Sequence, residues 1–173
     1  EYCKKNKISF RNPKILNNEE EFISFKELSV NLIIVVAYGK IIPKNFLNIA
    51  KFGFINVHAS LLPKWRGAAP IQRAIMSADK KIGVSIMKIE EKLDSGPVLS
   101  SKEFELDKNK THGEIEKKLS LEGANLLIQS LKNIQNKNLK FIDQDHSQAT
   151  YAKKIDKNET KINWKADANK VLA

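Results

Sequence analysis

Asn56 and His58 stand two positions apart in the run Phe54-Ile55-Asn56-Val57-His58, and alternate side chains of an extended strand leave the same face. A hydrogen-bond-donating amide would then sit beside an imidazole able to carry a proton near neutral pH. Acyl transfer to an amine asks for that pair. Its tetrahedral intermediate develops an oxyanion that needs a donor, and the attacking amine must lose a proton that the leaving nitrogen gains. On local grounds both readings of His58 stay open, because a single histidine in an apolar strand is ordinarily a hydrogen-bonded core residue. Asp94 in Leu93-Asp94-Ser95-Gly96 is open in the same way, since an aspartate before Ser-Gly caps turns as readily as it orients a base. His112 and His146 fall in a helix's first turn and in a polar loop, and with His58 they make no metal-ligand spacing. No metal is expected.

These side chains need elements to position them. Residues 30–37 form an unbroken β-branched and apolar run closed by Gly39 and Pro43, which reads as a strand covered on both faces, as in a parallel sheet. Residues 54–58 and 84–89 are two further strands. Between them, residues 67–78 place Ile71, Ala74, Ile75 and Ala78 at helical spacing, with Pro70 tolerated in the first turn. Strand, helix and strand make a crossover unit, and open parallel sheets bind ligands at the carboxyl ends of their strands, where Asn56 and His58 would lie. A second helix opens at Thr111, where Thr111-His112-Gly113-Glu114 has the form of a capping box, and Ile115, Leu119, Ala124, Leu127, Ile128, Leu131 and Ile134 continue one apolar side. After Asn138 the pattern loosens, and residues 151–164 are lysine-rich with only Ile155, Ile162 and Trp164 as anchors. That stretch reads as a linker, and the whole as an α/β domain.

The chain has 173 residues, 42% of them hydrophobic, which is enough to bury a core and argues against disorder. Its longest apolar run, Leu32-Ile33-Ile34-Val35-Val36-Ala37, falls far short of the roughly 20 residues of a membrane-spanning helix. No basic-then-apolar secretory pattern opens the chain. Cys3 is the single cysteine, so an internal disulfide and a cysteine metal cluster are both excluded, in keeping with a reducing compartment. Thirty basic against twenty acidic residues leave a net charge of +10, which favours polyanionic partners. Charge alone is equally satisfied by a solvated lysine-rich surface or by a basic nucleic-acid-binding module with no chemistry.

The stretch Asn56-Val57-His58-Ala59-Ser60-Leu61-Leu62-Pro63-Lys64-Trp65-Arg66-Gly67-Ala68-Ala69-Pro70-Ile71 resembles the signature of the folate-dependent formyltransferases. Leu93-Asp94-Ser95-Gly96, whose Asp94 lies 38 positions after Asn56, resembles the family's Leu-Asp-(Thr/Ser)-Gly turn. Val35-Val36-Ala37-Tyr38-Gly39-Lys40-Ile41-Ile42-Pro43 looks like the strand and folate-contacting turn that precede them. Lys92 is a departure, standing where relatives commonly carry glycine. The resemblance implies a Rossmann-like α/β catalytic domain with a mostly parallel sheet flanked by helices. It implies a trio in which Asn56 donates to the oxyanion, His58 shuttles the proton and Asp94 orients it. It also implies a folate site built from Ser60, Leu61, Leu62 and Pro63, from Lys40, Ile41 and Ile42, and from the 90–94 loop, where Glu90 and Glu91 serve as solvated turn residues. The co-substrate implied is 10-formyltetrahydrofolate, without a metal.

Within that family, Trp65-Arg66-Gly67-Ala68-Ala69-Pro70-Ile71 is similar to the members that formylate the methionine of initiator methionyl-tRNA. A sugar-nucleotide amine and glycinamide ribonucleotide are the alternative acceptors. Thr150-Tyr151-Ala152-Lys153-Lys154-Ile155 and Ile162-Asn163-Trp164 resemble the join to a small β-rich C-terminal domain. Residues 1–145 are therefore expected to be a catalytic domain lacking its start, and residues 146–173 the linker and the beginning of that second domain. Lys153, Lys154, Lys157 and Lys161 would face tRNA phosphates, while Trp65 and Arg66 either reach the tRNA 3′ end or fix their own loop. A monomer in the bacterial cytoplasm, with no membrane partner, completes the expectation. The 173-residue stretch by itself is expected to leave the sheet unpaired beside residues 30–37 and to be inactive on the tRNA.

Overall fold

A computed structural model describes residues 1–136, 140–168 and 171. In chain order the elements are helices α1 (Tyr2–Lys5) and α2 (Glu19–Glu27), strands β1 (Ile33–Val36), β2 (Phe54–His58) and β3 (Arg66–Gly67), helix α3 (Pro70–Met76), strands β4 (Lys81–Lys88) and β5 (Val98–Glu105), helix α4 (His112–Gln135) and strand β6 (Tyr151–Ala152). Four strands form one sheet in the order β1-β2-β4-β5, and β3 pairs with β6 in a small second sheet.

The α/β layering expected from the sequence is present, with one correction: the main sheet is mixed, not mostly parallel. β1 runs parallel to β2, but β2–β4 and β4–β5 are antiparallel. The connection does not cross back to the start of β2: Ile71 and Ala74 of helix α3 pack against Ile82 near the start of β4. β4 therefore begins beyond the carboxyl end of β2 and returns beside it, with Ser85 opposite His58 and Lys88 opposite Ile55. β1 also differs from its expectation of cover on both faces. It lies at one edge of the described sheet, with Ile34 43% and Val36 61% exposed.

Helix α4 closes one face of the sheet. Its start is the capping box expected at Thr111: the Thr111 hydroxyl accepts from the Glu114 amide, and the Glu114 carboxylate accepts from the Thr111 amide. The buried stripe runs through Ile115, Leu119, Gly123, Ser130 and Ile134, whereas Ala124 and Ile128 of the expected apolar side are exposed. Ile71 and Ala74 of α3 join Ile82, Ile115 and Leu119 in one cluster, and Ile55, Ile86 and Ile134 form another. Alternation then sends the neighbouring side chains of β2 and β4, among them Asn56, His58 and Ser85, to the opposite face. Four of the elements had no legible signal. α2 is capped by the Asn18 side chain on Glu21 N–H, β5 is a mostly polar edge strand, and β3 and β6 are two residues each.

The segment after α4 is stitched to this body. Val98 and Ile142 exchange backbone hydrogen bonds at 2.8 Å each. The Arg73 guanidinium donates to the carbonyls of Lys153 and Lys154 and to both oxygens of Glu159. That guanidinium holds the Glu159 carboxyl down to about 2. Among the described residues no helix is long and apolar enough to cross a membrane.

A Cβ on Gly123 would lie 2.9 Å from Val57 Cγ1 and 3.2 Å from Val84 Cγ2, while one on Gly113 would meet nothing within 4 Å. Gly123→Val should therefore destabilise by about 1–3 kcal/mol through overpacking, and Gly113→Ala should stabilise by about 0.5 kcal/mol. Urea denaturation of the two variants should move the midpoint in opposite directions.

Candidate active site

β2 delivers Asn56 and His58 to one face near its carboxyl end, Asn56 flanked by Val35 of β1 and Met87 of β4. His58 is 5% exposed. Its Nε2 lies 2.9 Å from the carbonyl oxygen of Trp65, and because a carbonyl only accepts, Nε2 carries the hydrogen of that bond. Its Nδ1 faces Oδ2 of Asp94 at 3.7 Å, within ion-pair reach but longer than a good hydrogen bond. The same Oδ2 accepts the Gly67 amide at 2.8 Å. One carboxylate oxygen thus stands between a fixed backbone donor and the one imidazole nitrogen not committed to the backbone. His58 and Asp94, 36 residues apart in sequence, are brought together with Asn56 on the adjoining stretch of β2.

The turn after β2 is shaped by small polar groups that give up their own freedom. The Ser60 hydroxyl, 1% exposed, donates to the Lys64 carbonyl at 2.6 Å. The fully buried Ser85 hydroxyl donates to the Ser60 carbonyl at 2.7 Å and accepts the Leu62 amide at 3.2 Å. The Leu62–Pro63 peptide is cis, and Trp65 sits at φ 61°. The indole of Trp65 donates to Asp79 at 2.7 Å, and Arg66, 3% exposed, donates to Gln144 and to His146. Of the two readings left open for Trp65 and Arg66, loop fixing is the one their side chains perform here. Gly67, at φ 121°, lies against β6 so closely that a Cβ would come within 2.8 Å of the Ala152 carbonyl.

The loop bearing Asp94 is held from two sides. Asp94 itself adopts φ 45°, a left-handed conformation uncommon outside glycine. Gln144 Nε2 donates to the carbonyls of Asp94 at 3.0 Å and Gly96 at 2.6 Å. Gly96 packs on the Lys88 carbonyl with no room for a side chain. Glu90, Glu91 and Lys92 are exposed, and Glu91 pairs with Lys44 at 2.8 Å, which raises the Lys44 ammonium above its usual range.

Beside this loop lies a cleft of about 550 Å³, lined by residues 88–92 with Leu47, Ala50, Gly53, Ser95 and His146 among its other walls. The expected 90–94 loop supplies residues 90–92 to its wall, but none of the seven residues expected from the turns at 40–42 and 60–63 lines it. Ser60 is buried with its hydroxyl spent within the turn, Leu61 packs over Gly83, and Leu62, Pro63 and Ile42 are half-buried. Ile41 is 86% exposed, and Lys40 donates to the Lys14 carbonyl at 2.9 Å. Among the described residues no group of three or more His, Cys, Asp or Glu could hold a metal ion. Sequence reasoning missed Ser85 and Gln144. A serine in an apolar strand is the faint signal for the first, and nothing local marks the second.

The model of the family described as formyl transferase matches residues 1–131. A methionyl-tRNA formyltransferase of Pelagibacter ubique (strain HTCC1062) is 49% identical over 166 residues, covering 95% of this chain and 54% of that protein. One of Bartonella henselae is 48% identical over 152 residues, 88% of this chain and 49% of that protein. The chain spans about half the length of the curated relatives it matches. A crystal structure of WlaRD, a sugar 3N-formyl transferase in the presence of dTDP and 5-N-formyl-THF, superimposes with a TM-score of 0.77 at 19% identity, over 99% of this chain and 59% of that one. The phosphoribosylglycinamide formyltransferase of Bacillus halodurans gives 0.64 at 24% identity, over 68% and 61%. At those identities the two structures speak for the Rossmann-like fold, and the family match speaks for descent: this chain belongs to the formyl transferase family.

Proposed function

We propose that this chain carries the chemistry of a methionyl-tRNA formyltransferase, moving the formyl group of 10-formyltetrahydrofolate to the α-amine of methionine on initiator tRNA. The observation that carries the reading is the placement of His58 and Asp94, with Nδ1 and Oδ2 at 3.7 Å, beside Asn56 at the end of β2. Relatives named for that activity, 43–49% identical over most of the chain, supply the acceptor.

The new bond joins the methionine nitrogen to the formyl carbon, the bond from that carbon to the folate nitrogen breaks, and one proton passes between the two nitrogens. Asn56 donates from its amide to the formyl oxygen as negative charge collects there, a contribution of several kcal/mol in comparable acyl-transfer sites. His58 takes the amine's proton at Nδ1 and returns it to the departing nitrogen. Asp94 holds the imidazole in place and offsets its positive charge, while the Trp65 carbonyl prevents the ring from turning. The cleft along residues 88–92 has the volume of small-molecule sites. Its apolar Leu47 and Ile89 beside backbone groups and polar side chains fit a flat heterocycle with hydrogen-bonding edges. Those residues are proposed to hold the folate, together with the expected turns at 40–42 and 60–63.

Residues 1–145 act as the catalytic unit, and residues 146–173 lead the chain towards tRNA. Lys153, Lys154, Lys157 and Lys161 are exposed on the stretch that Arg73 ties to α3, where phosphate contacts would position the acceptor without reading its sequence. The enzyme is proposed to work as a monomer in the bacterial cytoplasm.

In the full-length enzyme, His58→Ala and Asp94→Asn should each lower kcat by roughly 100-fold or more while melting remains close to the parent. Steady-state formylation of methionyl-tRNA measures the first and calorimetry the second. Near-normal turnover in a folded variant refutes the trio, and faster formylation of a sugar-nucleotide amine or of glycinamide ribonucleotide refutes the acceptor. Replacing Lys154 and Lys157 together by alanine should weaken tRNA binding and lower the slope of log K against log salt by roughly 1.5. Folate binding, followed by thermal shift, should not change.

A further inference from the structure

We infer that Gln144 is a positioning residue for the reaction, holding Asp94 at its working distance from His58. The inference rests on the catalytic reading of His58 and Asp94 given above and extends it to a side chain that touches neither the imidazole nor the cleft.

Gln144 is 7% exposed, and every hydrogen-bonding capacity of its amide is used. Oε1 accepts from Arg66 twice, from Nε at 3.1 Å and from a terminal nitrogen at 2.7 Å. Nε2 donates twice, to the carbonyls of Asp94 and Gly96. Its own backbone is located by the bridge between Ile142 and Val98, two residues upstream. One side chain therefore couples residue 66 to the loop of residues 94–96.

That coupling closes a ring around the imidazole. Residues 65, 66 and 67 are consecutive: the Trp65 carbonyl receives His58 Nε2–H, the Arg66 guanidinium is gripped by Gln144, and the Gly67 amide binds the Asp94 carboxylate. Gln144 then grips the backbone of Asp94 itself. The residues that face the two nitrogens of His58 are thus registered against each other by a third segment of chain. Asp94 needs such support because its φ of 45° is one that an aspartate rarely keeps unaided. Without the two donated bonds, the peptide groups of residues 94–96 are free to turn, and the carboxylate loses its fixed distance from Nδ1.

The test uses the full-length enzyme and Gln144→Glu, which keeps both acceptances from Arg66 and removes both donations to the loop. Turnover should fall at least ten-fold, with KM for tRNA and for the formyl donor unchanged within about two-fold. The double variant Gln144→Glu/Asp94→Asn should be no slower than Asp94→Asn alone, because Gln144 acts through Asp94. Gln144→Met, similar in length and without hydrogen-bonding groups, should show the same loss and is the variant to read should Gln144→Glu not fold. Turnover within two-fold of the parent overturns the inference. So does a loss carried by KM, or one that multiplies in full with that of Asp94→Asn. If Asp94→Asn alone leaves turnover intact, the catalytic reading itself has failed and the positioning role falls with it.

Discussion

The Gly67 amide donates to one oxygen of Asp94 at 2.8 Å, and the rest of the site is arranged around that bond. A hydrogen bond to a charged group is worth about 1.5–3 kcal/mol, but its larger effect is geometric. It places a carboxylate oxygen where His58 Nδ1 can meet it. The bond requires Gly67 at a φ of 121° hard against Ala152, and so requires β6, a two-residue strand contributed by sequence 84 positions further on. The β3–β6 pairing, small as it is, is therefore a condition of the geometry between Asp94 and His58 rather than an ornament on it.

Polar side chains buried near the site are spent on hydrogen bonds within the protein, to backbone groups and to one another. Ser60, Ser85, Arg66 and Gln144 are all buried, and each makes hydrogen bonds within the protein. A buried amide or hydroxyl left unpaired costs roughly 1–3 kcal/mol, so the loops of residues 59–67 and 92–96 have few alternative arrangements that keep all of these bonds. Two non-glycine residues with positive φ, Trp65 and Asp94, sit inside this network. Local strain at the places that face His58 is offset by hydrogen bonds drawn from three segments of chain.

Away from the site, charge serves attachment. The chain carries a net charge of +10. Some cations are paired, as Lys44 is with Glu91 and Lys102 with Glu122. Arg73 spends its guanidinium on the segment of residues 153–159, leaving the neighbouring lysines outward. A basic stretch that would read as a loose linker is thereby held against α3, at a defined place relative to β2.

The sequence by itself determined the local structures whose signals are local. β2 was legible to the residue because alternation puts Asn56 and His58 on one side, and α4 began where Thr111 and Glu114 cap each other. The resemblance carried by residues 56–71 and 93–96 named the family, since those motifs are short and contiguous, and it singled out His58 and Asp94, whose Nδ1 and Oδ2 stand 3.7 Å apart. Tertiary structure decided what depends on distance. Whether β4 ran with or against β2 turned on where α3 packed, beside Ile82 near the start of β4, and β1 was half exposed because its Ile34 and Val36 face is left largely uncovered. The roles of Ser85, Arg66 and Gln144 come from partners 23 to 80 positions away, and no periodicity encodes them. An arginine or a glutamine in a polar loop looks like solvated surface until the fold removes its water and leaves other protein groups as its partners.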